Sequence, residues 1–513
     1  MQELLYKLDT MAKRMGPRKT EGLTHQEILN FLPEHPALAK AIQEGFEASE
    51  KLLAEFPFLA QIPEEKLLDN LQEGLLNFYP MDQRNPYVPA AARGPWIVTL
   101  FGAVLHDSGG YGMLGFGHNP EPILKSLQTP LVMANVMTAS VSHYRLIQSL
   151  RAEIGHRREH GCPYSKFICI NSGSEAMTVA MRIADAHTRW LFDRDAAQGR
   201  PRRRTMLLSI QGSFHGRTER PAMISHSSYK SYATHLESFR DLHVNYTIPP
   251  NDEEALLKAF QWAKEHNVFF EVLALEPVMG EGNPGLAVKP SYYALARRLT
   301  RENETLLLMD SIQAGLRAHG SLSVVDYPGF TDLDAPDLET YSKALNGGQF
   351  PLSILAINKN TEEFYRRGIY GNTKTTNPRA CEVAVATLSM VTEPLRANIV
   401  ARGQELLQGF MELGREYPEI VLRCQGQGLL CAIEINPDAF RVVGHGQLGE
   451  YLRCRGIGVI HGGKNALRFT PHFAITSKEV QLILRHLKEA FEHGPKVPAE
   501  NRAQQQPEPE SHR

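Results

Sequence analysis

Apolar residues recur at helical spacing from the start of the chain. Leu4, Leu8, Met11 and Met15 share one face, with Lys7, Lys13 and Arg14 between them, which predicts an amphipathic surface helix. Leu38, Ile42, Phe46, Leu53 and Phe56 mark the buried stripe of a second helix starting near Pro36, a residue suited to a first helical turn. Leu67, Leu68, Leu71, Leu75 and Leu76 predict another. Residues 1–90 therefore read as a helical N-terminal extension without a catalytic signature. Residues 91–160 read as the first part of a small domain and the entry into a larger one. The pattern then changes. Between 161 and 380, short apolar runs at 167–170, 206–210, 272–275, 306–309 and 352–357 alternate with helical periodicity near 175–192, 254–266 and 290–302. Such alternation predicts a large α/β domain with a mostly parallel sheet. A long helical pattern over 380–416, β-like runs at 421–435 and 466–469, and a last helix near 478–492 predict a smaller C-terminal α+β domain over 381–493. The proline- and glutamine-rich stretch 494–513 is predicted to be disordered.

Composition narrows the function. The 513 residues carry 55 basic and 57 acidic side chains, a net charge of −2. That balance argues against a nucleic-acid binder working through bulk charge. No apolar run approaches the roughly 20 residues of a membrane span. Six cysteines, none spaced C-x2-C, argue against a zinc ribbon or a disulfide scaffold and for reduced thiols in a cytoplasmic protein. No metal site and no secretory leader are expected.

Three local features carry chemistry. Asn171-Ser172-Gly173-Ser174-Glu175-Ala176 follows a predicted strand and opens a predicted helix. Free amides and the helix dipole make such a turn an anion site, although structural turns share this composition. Asp310 ends a buried strand, where α/β folds place ligands and also helix caps. Lys343 follows a short predicted strand and precedes Gly347 and Gly348. A lysine there can form a Schiff base once its amine is partly desolvated. Together they are the parts that pyridoxal 5'-phosphate needs: a phosphate cradle, a carboxylate that keeps the pyridine nitrogen protonated, and an amine.

At this point the chain resembles the class III (ω-type) aminotransferases of the type I pyridoxal phosphate fold, in particular ornithine, 4-aminobutyrate and acetylornithine aminotransferases. The matching stretches run in the family's order over about 90–490. They are 171–176, Ser213-Phe214-His215-Gly216-Arg217-Thr218, Glu276-Pro277-Val278-Met279-Gly280-Glu281-Gly282, Asp310-Ser311-Ile312-Gln313-Ala314-Gly315, 342–348, and Gly371-Asn372-Thr373 with Asn377-Pro378. The resemblance implies Lys343 and Asp310 as catalytic residues. It implies Ser172, Gly173, Ser174, Phe214, His215, Glu276, Asp310, Gln313, Lys343 and Thr373 as cofactor-binding residues. Phe214 would stack on the ring and Gln313 would bond its hydroxyl. Thr373 would reach the phosphate of a neighbouring subunit's cofactor, which implies a homodimer with active sites at the interface.

The resemblance also implies substrate contacts at Tyr111, Arg217, Glu281 and Arg468. Arg217 would take a distal carboxylate and Arg468 the α-carboxylate of glutamate. Glu281 would pair with Arg468 when an ω-amine is bound. The implied reaction moves a distal amino group to 2-oxoglutarate by a ping-pong Schiff-base mechanism. The partners are small molecules, an amine donor and a 2-oxo acid. The chain departs from the family at Met279, Ser311, the run Ala344-Leu345-Asn346, and Lys374-Thr375-Thr376, which marks a divergent branch. Decarboxylases, racemases and aminomutases share this fold, so one of these reactions is the alternative.

Overall fold

The computed structural model describes residues 1–498. At its centre is a seven-stranded sheet. Its strands are β1 (Tyr164–Ile170), β2 (Arg204–Ile210), β3 (Asn245–Ile248), β4 (Val268–Leu275), β5 (Leu306–Asp310), β6 (Leu338–Tyr341) and β7 (Ser353–Asn358). Their spatial order is β1-β7-β6-β5-β4-β2-β3. Strand β7 is antiparallel to both neighbours, and the other pairings are parallel. Every residue of β4 and β5 is buried, the signature of strands covered on both faces. The expected mixed α/β architecture is what forms. The edge strand β3, with polar Asn245 and Thr247, carried too weak an apolar signal to be foreseen.

The N-terminal helices Gln2–Arg14, His25–Phe31, Pro36–Glu55 and Glu64–Gln72 pack beside a small sheet. Gly45 lets the third helix close on a strand, because a Cβ there would lie 2.8 Å from Val98 Cγ1. The small sheet pairs the hairpin strands Pro89–Arg93, Trp96–Thr99 and Val104–Asp107 with Ile457–Gly458, so segments far apart in sequence share it. The predicted helix through Leu75 and Leu76 ends at Gln72, and both leucines are exposed.

The C-terminal region holds an antiparallel sheet of Val421–Gln427, Leu430–Ile435, Ala466–Phe469 and Ile460–Gly462. The helical pattern over 380–416 is two helices, Pro378–Ser389 and Glu393–Glu416. Thr392 caps the second, accepting from the Leu395 amide, and Pro394 sits in its first turn, where it cannot continue the helix before it. The run 421–435 is a hairpin that reverses at Gly428 (φ +53°). Of the predicted tail, residues 499–513 lie outside the described residues. Its first part is packed: Val497 is buried and its amide donates to Ala439 O at 2.9 Å.

Candidate active site

The C-terminal ends of β1, β2, β4, β5 and β6 converge on one cavity of about 980 Å³. Each strand end delivers a residue singled out in the sequence. After β1, Ser172 caps the 25-residue helix Gly173–Ala197 by accepting from the Glu175 amide at 3.3 Å, and Gly173 and Ser174 occupy its first turn. Both face the cavity, so a helix N-terminus is presented to it. Gly216 (φ +115°) makes a close approach here: a Cβ on it would fall 2.6 Å from Ser174 Oγ. That hydroxyl accepts from the Arg217 amide at 3.2 Å. Glu175 fastens the turn from behind, accepting from the Asn171 amide, Asn372 Nδ2 and the Tyr370 hydroxyl.

After β2 come Phe214 and His215, and after β4 comes Glu276. The Glu276 carboxyl bridges two loops: Oε1 accepts from the Phe214 amide at 3.0 Å and Oε2 from the Gly280 amide at 2.9 Å. Burial, with the neighbouring Asp310 carboxylate adding to it, raises its pKa to about 7. Asp310 ends β5. Its Oδ2 lies 2.9 Å from His215 Nδ1, and its Oδ1 accepts from the Ile312 amide and the Thr340 hydroxyl. His215 Nε2 is buried without a partner.

Lys343 follows β6 with a left-handed backbone (φ +42°), an uncommon conformation for a residue with a side chain. Its Nζ donates to Gln313 Oε1. Burial, and then the nearby Arg468 charge, push the amine down to about 8. Gln313 is wedged between two glycines, and its Nε2 has no partner: a Cβ on Gly112 (φ +72°) would meet that nitrogen at 2.0 Å.

The substrate-side residues share the cavity. Tyr111 has a positive φ of 49°, and its hydroxyl accepts from Asn85 Nδ2 at 2.6 Å. The Arg217 guanidinium lies 5.1 Å from the Phe214 ring centroid and 5.5 Å from that of Phe78. Glu281 and Arg468 both border the cavity, each with a contact of its own. Glu281 lies 3.9 Å from Arg217 Nη2, and the Arg468 guanidinium donates to Gly280 O. Arg468 is held inside the strand Ala466–Phe469 and enclosed, whereas Glu281 and Arg217 are both partly exposed at the mouth and meet there. Thr373 stands apart: it is exposed and does not border the cavity.

Sequence reasoning gave residues 1–90 no role at the site, yet Leu68, Gln72, Asn77, Phe78, Tyr79 and Asn85 line it. Arg453 and His461 line it as well. No short motif marks any of these, and only the folded chain brings them in.

The arrangement suits a flat, anionic, carbonyl-bearing ring. A helix N-terminus can take a phosphate, and a depressed amine can condense with a carbonyl. A buried carboxylate can hold a proton on a ring nitrogen. The partnerless His215 Nε2 and Gln313 Nε2 are buried polar atoms that gain from a ligand.

Comparison with known proteins gives the same answer. The family profile described as "Aminotransferase class-III" matches residues 78–491. The ornithine aminotransferase 2 of Staphylococcus aureus (strain N315) is 27% identical over 428 residues, covering 82% of this chain and 96% of the relative. The structure of the ornithine aminotransferase from Toxoplasma gondii ME49 superposes with a TM-score of 0.70 at 22% identity, covering 86% of this chain and 97% of that one. The acetylornithine aminotransferase from Elizabethkingia anophelis superposes at 0.65 with 20% identity, covering 83% and 99%. The chain belongs to the class III aminotransferases and is a pyridoxal phosphate-dependent transaminase.

Proposed function

We propose that the enzyme moves an amino group, a distal one on its donor, to 2-oxoglutarate in a ping-pong reaction. The carrying observation is the enclosed Lys343 amine, lowered to about 8, between Gln313 and the Arg468 charge. When bound, pyridoxal phosphate supplies an electron sink for negative charge at the carbon bearing the amine. Lys343 Nζ would hold the cofactor and, once freed by the donor amine, would carry the proton that the transfer moves. With a pKa near neutrality, the amine can both take up and release that proton. Asp310, steadied by His215, holds a proton on the ring nitrogen. Gln313 bonds the ring hydroxyl, and the amides of Gly173 and Ser174 with the Ser172 cap bind the phosphate. Glu276 fixes the loop that carries Phe214 against the ring.

Arg468 takes the α-carboxylate of glutamate through paired charge-assisted bonds. Arg217, partly neutralised by Glu281 at the mouth, meets the distal end of the substrate, and Tyr111 closes the wall beside it. Thr373 acts across a homodimer, reaching the phosphate of the neighbouring subunit. The exposed Leu71, Leu75, Leu76, Val132, Met133 and Met137 offer apolar surface that such an assembly could cover. The large α/β region 161–380 carries the cofactor, the flanking 91–160 and 381–493 form the small domain, and the enzyme works in the cytoplasm.

The test is an absorbance titration of the pyridoxal phosphate-loaded protein with glutamate. Loss of the visible band with release of 2-oxoglutarate is the expected result. Arg468→Ala is expected to slow that half-reaction by about 10- to 100-fold, the worth of a charged hydrogen-bonded pair. Carbon dioxide release, or racemisation without an oxo acid, would refute transamination to 2-oxoglutarate.

A further inference from the structure

Three residues from distant parts of the chain meet at a point outside the cavity. His106 lies in the strand Val104–Asp107, His472 follows the strand Ala466–Phe469, and Glu479 lies in the first turn of the helix Ser477–His493. His106 Nε2 and His472 Nε2 each lie 3.0 Å from the same oxygen, Glu479 Oε1. The three donor atoms all fall within 4.8 Å of one another. No short spacing marks the trio in the sequence, because His106 and Glu479 are 373 positions apart.

The surroundings leave these atoms facing one another. Glu479 Oε2 is held by the Thr476 amide at 2.7 Å and the Thr476 hydroxyl at 2.8 Å, so Oε1 is the oxygen turned to the imidazoles. Ser108 Oγ lies 2.8 Å from His106 Nδ1. It can accept a proton from that nitrogen, which leaves the lone pair on Nε2. The Trp96 ring meets His106 edge-on at 5.1 Å and gives the site an apolar side. The side chains of His106 and Glu479 are fully buried, whereas that of His472 keeps 11% of its surface exposed and offers the way in.

Charge points the same way. The ion-pair partners of Glu479 among the described residues are these two imidazoles. An imidazole is mostly neutral near neutral pH, so the buried carboxylate has no permanent counter-charge. Such a charge is costly to keep, and a divalent cation supplies what is missing. Zinc bonds imidazole nitrogen and carboxylate oxygen at about 2.0–2.1 Å, which sets neighbouring ligand atoms of a tetrahedron about 3.3 Å apart. The two 3.0 Å separations need only a small shift to match. Two imidazoles with one carboxylate suit zinc and its neighbours rather than calcium or magnesium, which take oxygen ligands.

We propose that His106, His472 and Glu479 form a binding site for a divalent cation of the zinc class, with water on the His472 side completing the coordination. The ion clasps the small sheet to the C-terminal helix. The same segments carry the substrate-side wall of the cavity. Gly109, Gly110 and Tyr111 follow His106, Arg468 precedes His472, and the Thr470 amide joins the two by donating to Ser108 O at 2.9 Å. The role is structural and does not depend on which amine the enzyme uses.

The test is zinc binding to the pyridoxal phosphate-loaded enzyme, first stripped with a chelator that is then removed. Competition against a fluorescent zinc indicator is expected to show one tight site per chain. His472→Ala removes the partly exposed ligand and is expected to weaken that site by about 100-fold or more. Zinc is expected to raise the unfolding temperature of the wild type and not that of the variant. An affinity within twofold of the wild type in His472→Ala overturns the proposal, as does an equal rise in both unfolding temperatures. The absence of a tight site also overturns it and leaves a hydrogen-bonded trio only. If the variant does not fold, the X-ray absorption spectrum of zinc bound to the wild type decides. A shell of two imidazole nitrogens with oxygen supports the site. Sulfur in the shell, or fewer than two imidazoles, overturns it.

Discussion

Glu276 makes the active site's loops sensitive to pH, and the size of the effect follows from its surroundings. The side chain is 8% exposed and spans the Phe214 and Gly280 amides. Burial lifts its pKa from 4.5 to about 7. Between those values the folded protein keeps a proton that the unfolded chain releases. Stability from this group is therefore complete below pH 4.5 and is lost as pH rises through about 7. A shift of roughly 2.5 units corresponds to ~3 kcal/mol across that window. Glu276→Gln removes the titration while keeping one acceptor for an amide. The variant is expected to gain on the wild type by about that amount between pH 4.5 and 8, whatever the offset at any single pH. Urea unfolding of the cofactor-free proteins, at fixed protein concentration, measures the difference curve. Infrared spectroscopy adds a direct reading, a protonated-carboxyl band that titrates near pH 7 and is missing in the variant. Parallel stability curves for the two proteins would refute the reasoning, as would a carboxyl band that disappears near pH 4.5.

Three further outcomes are expected. The apoenzyme's rate of capturing pyridoxal phosphate rises as pH increases through about 8, as the Lys343 amine loses its proton, and then levels off; stopped-flow absorbance reads it, and a flat profile from pH 6 to 10 would contradict the assigned amine. Gly112→Ala places a Cβ 2.0 Å from Gln313 Nε2 on a backbone at φ +72°, so it costs about 1–3 kcal/mol of stability and displaces Gln313, seen as a shift of the cofactor's visible band. Asp310→Asn leaves the strand intact but removes the charge proposed to keep the ring nitrogen protonated, so turnover falls by about 100-fold or more while circular dichroism is unchanged.

Much of the central domain was legible because its strands are buried on both faces. An all-apolar run such as Val268–Leu275 followed by helical periodicity has few other readings. The strand-end residues Asp310 and Lys343 were legible for the same reason, since their position follows from the strand that carries them. Strand Asn245–Ile248 was not, because an edge strand needs no apolar code. The break at Thr392 was hidden inside one long helical period. The approach of Glu281 to Arg217 was also out of reach. Which of two arginines a carboxylate meets depends on how far each is exposed, and Arg217 and Arg468 lie 251 positions apart in sequence yet border one cavity. The walls contributed by Gln72, Asn77, Arg453 and His461 are a product of chain reversal alone.

Lys343 has a last consequence, for anyone evolving this enzyme. The position combines a left-handed backbone with a buried amine whose charged form is disfavoured. Asparagine or glycine suits that backbone better, and neither brings a charge into the cavity. A library sorted for thermal robustness alone thus drifts away from lysine at this position and enriches sequences that fold well and transfer nothing. Selection has to couple robustness to turnover, because here the two pull in opposite directions.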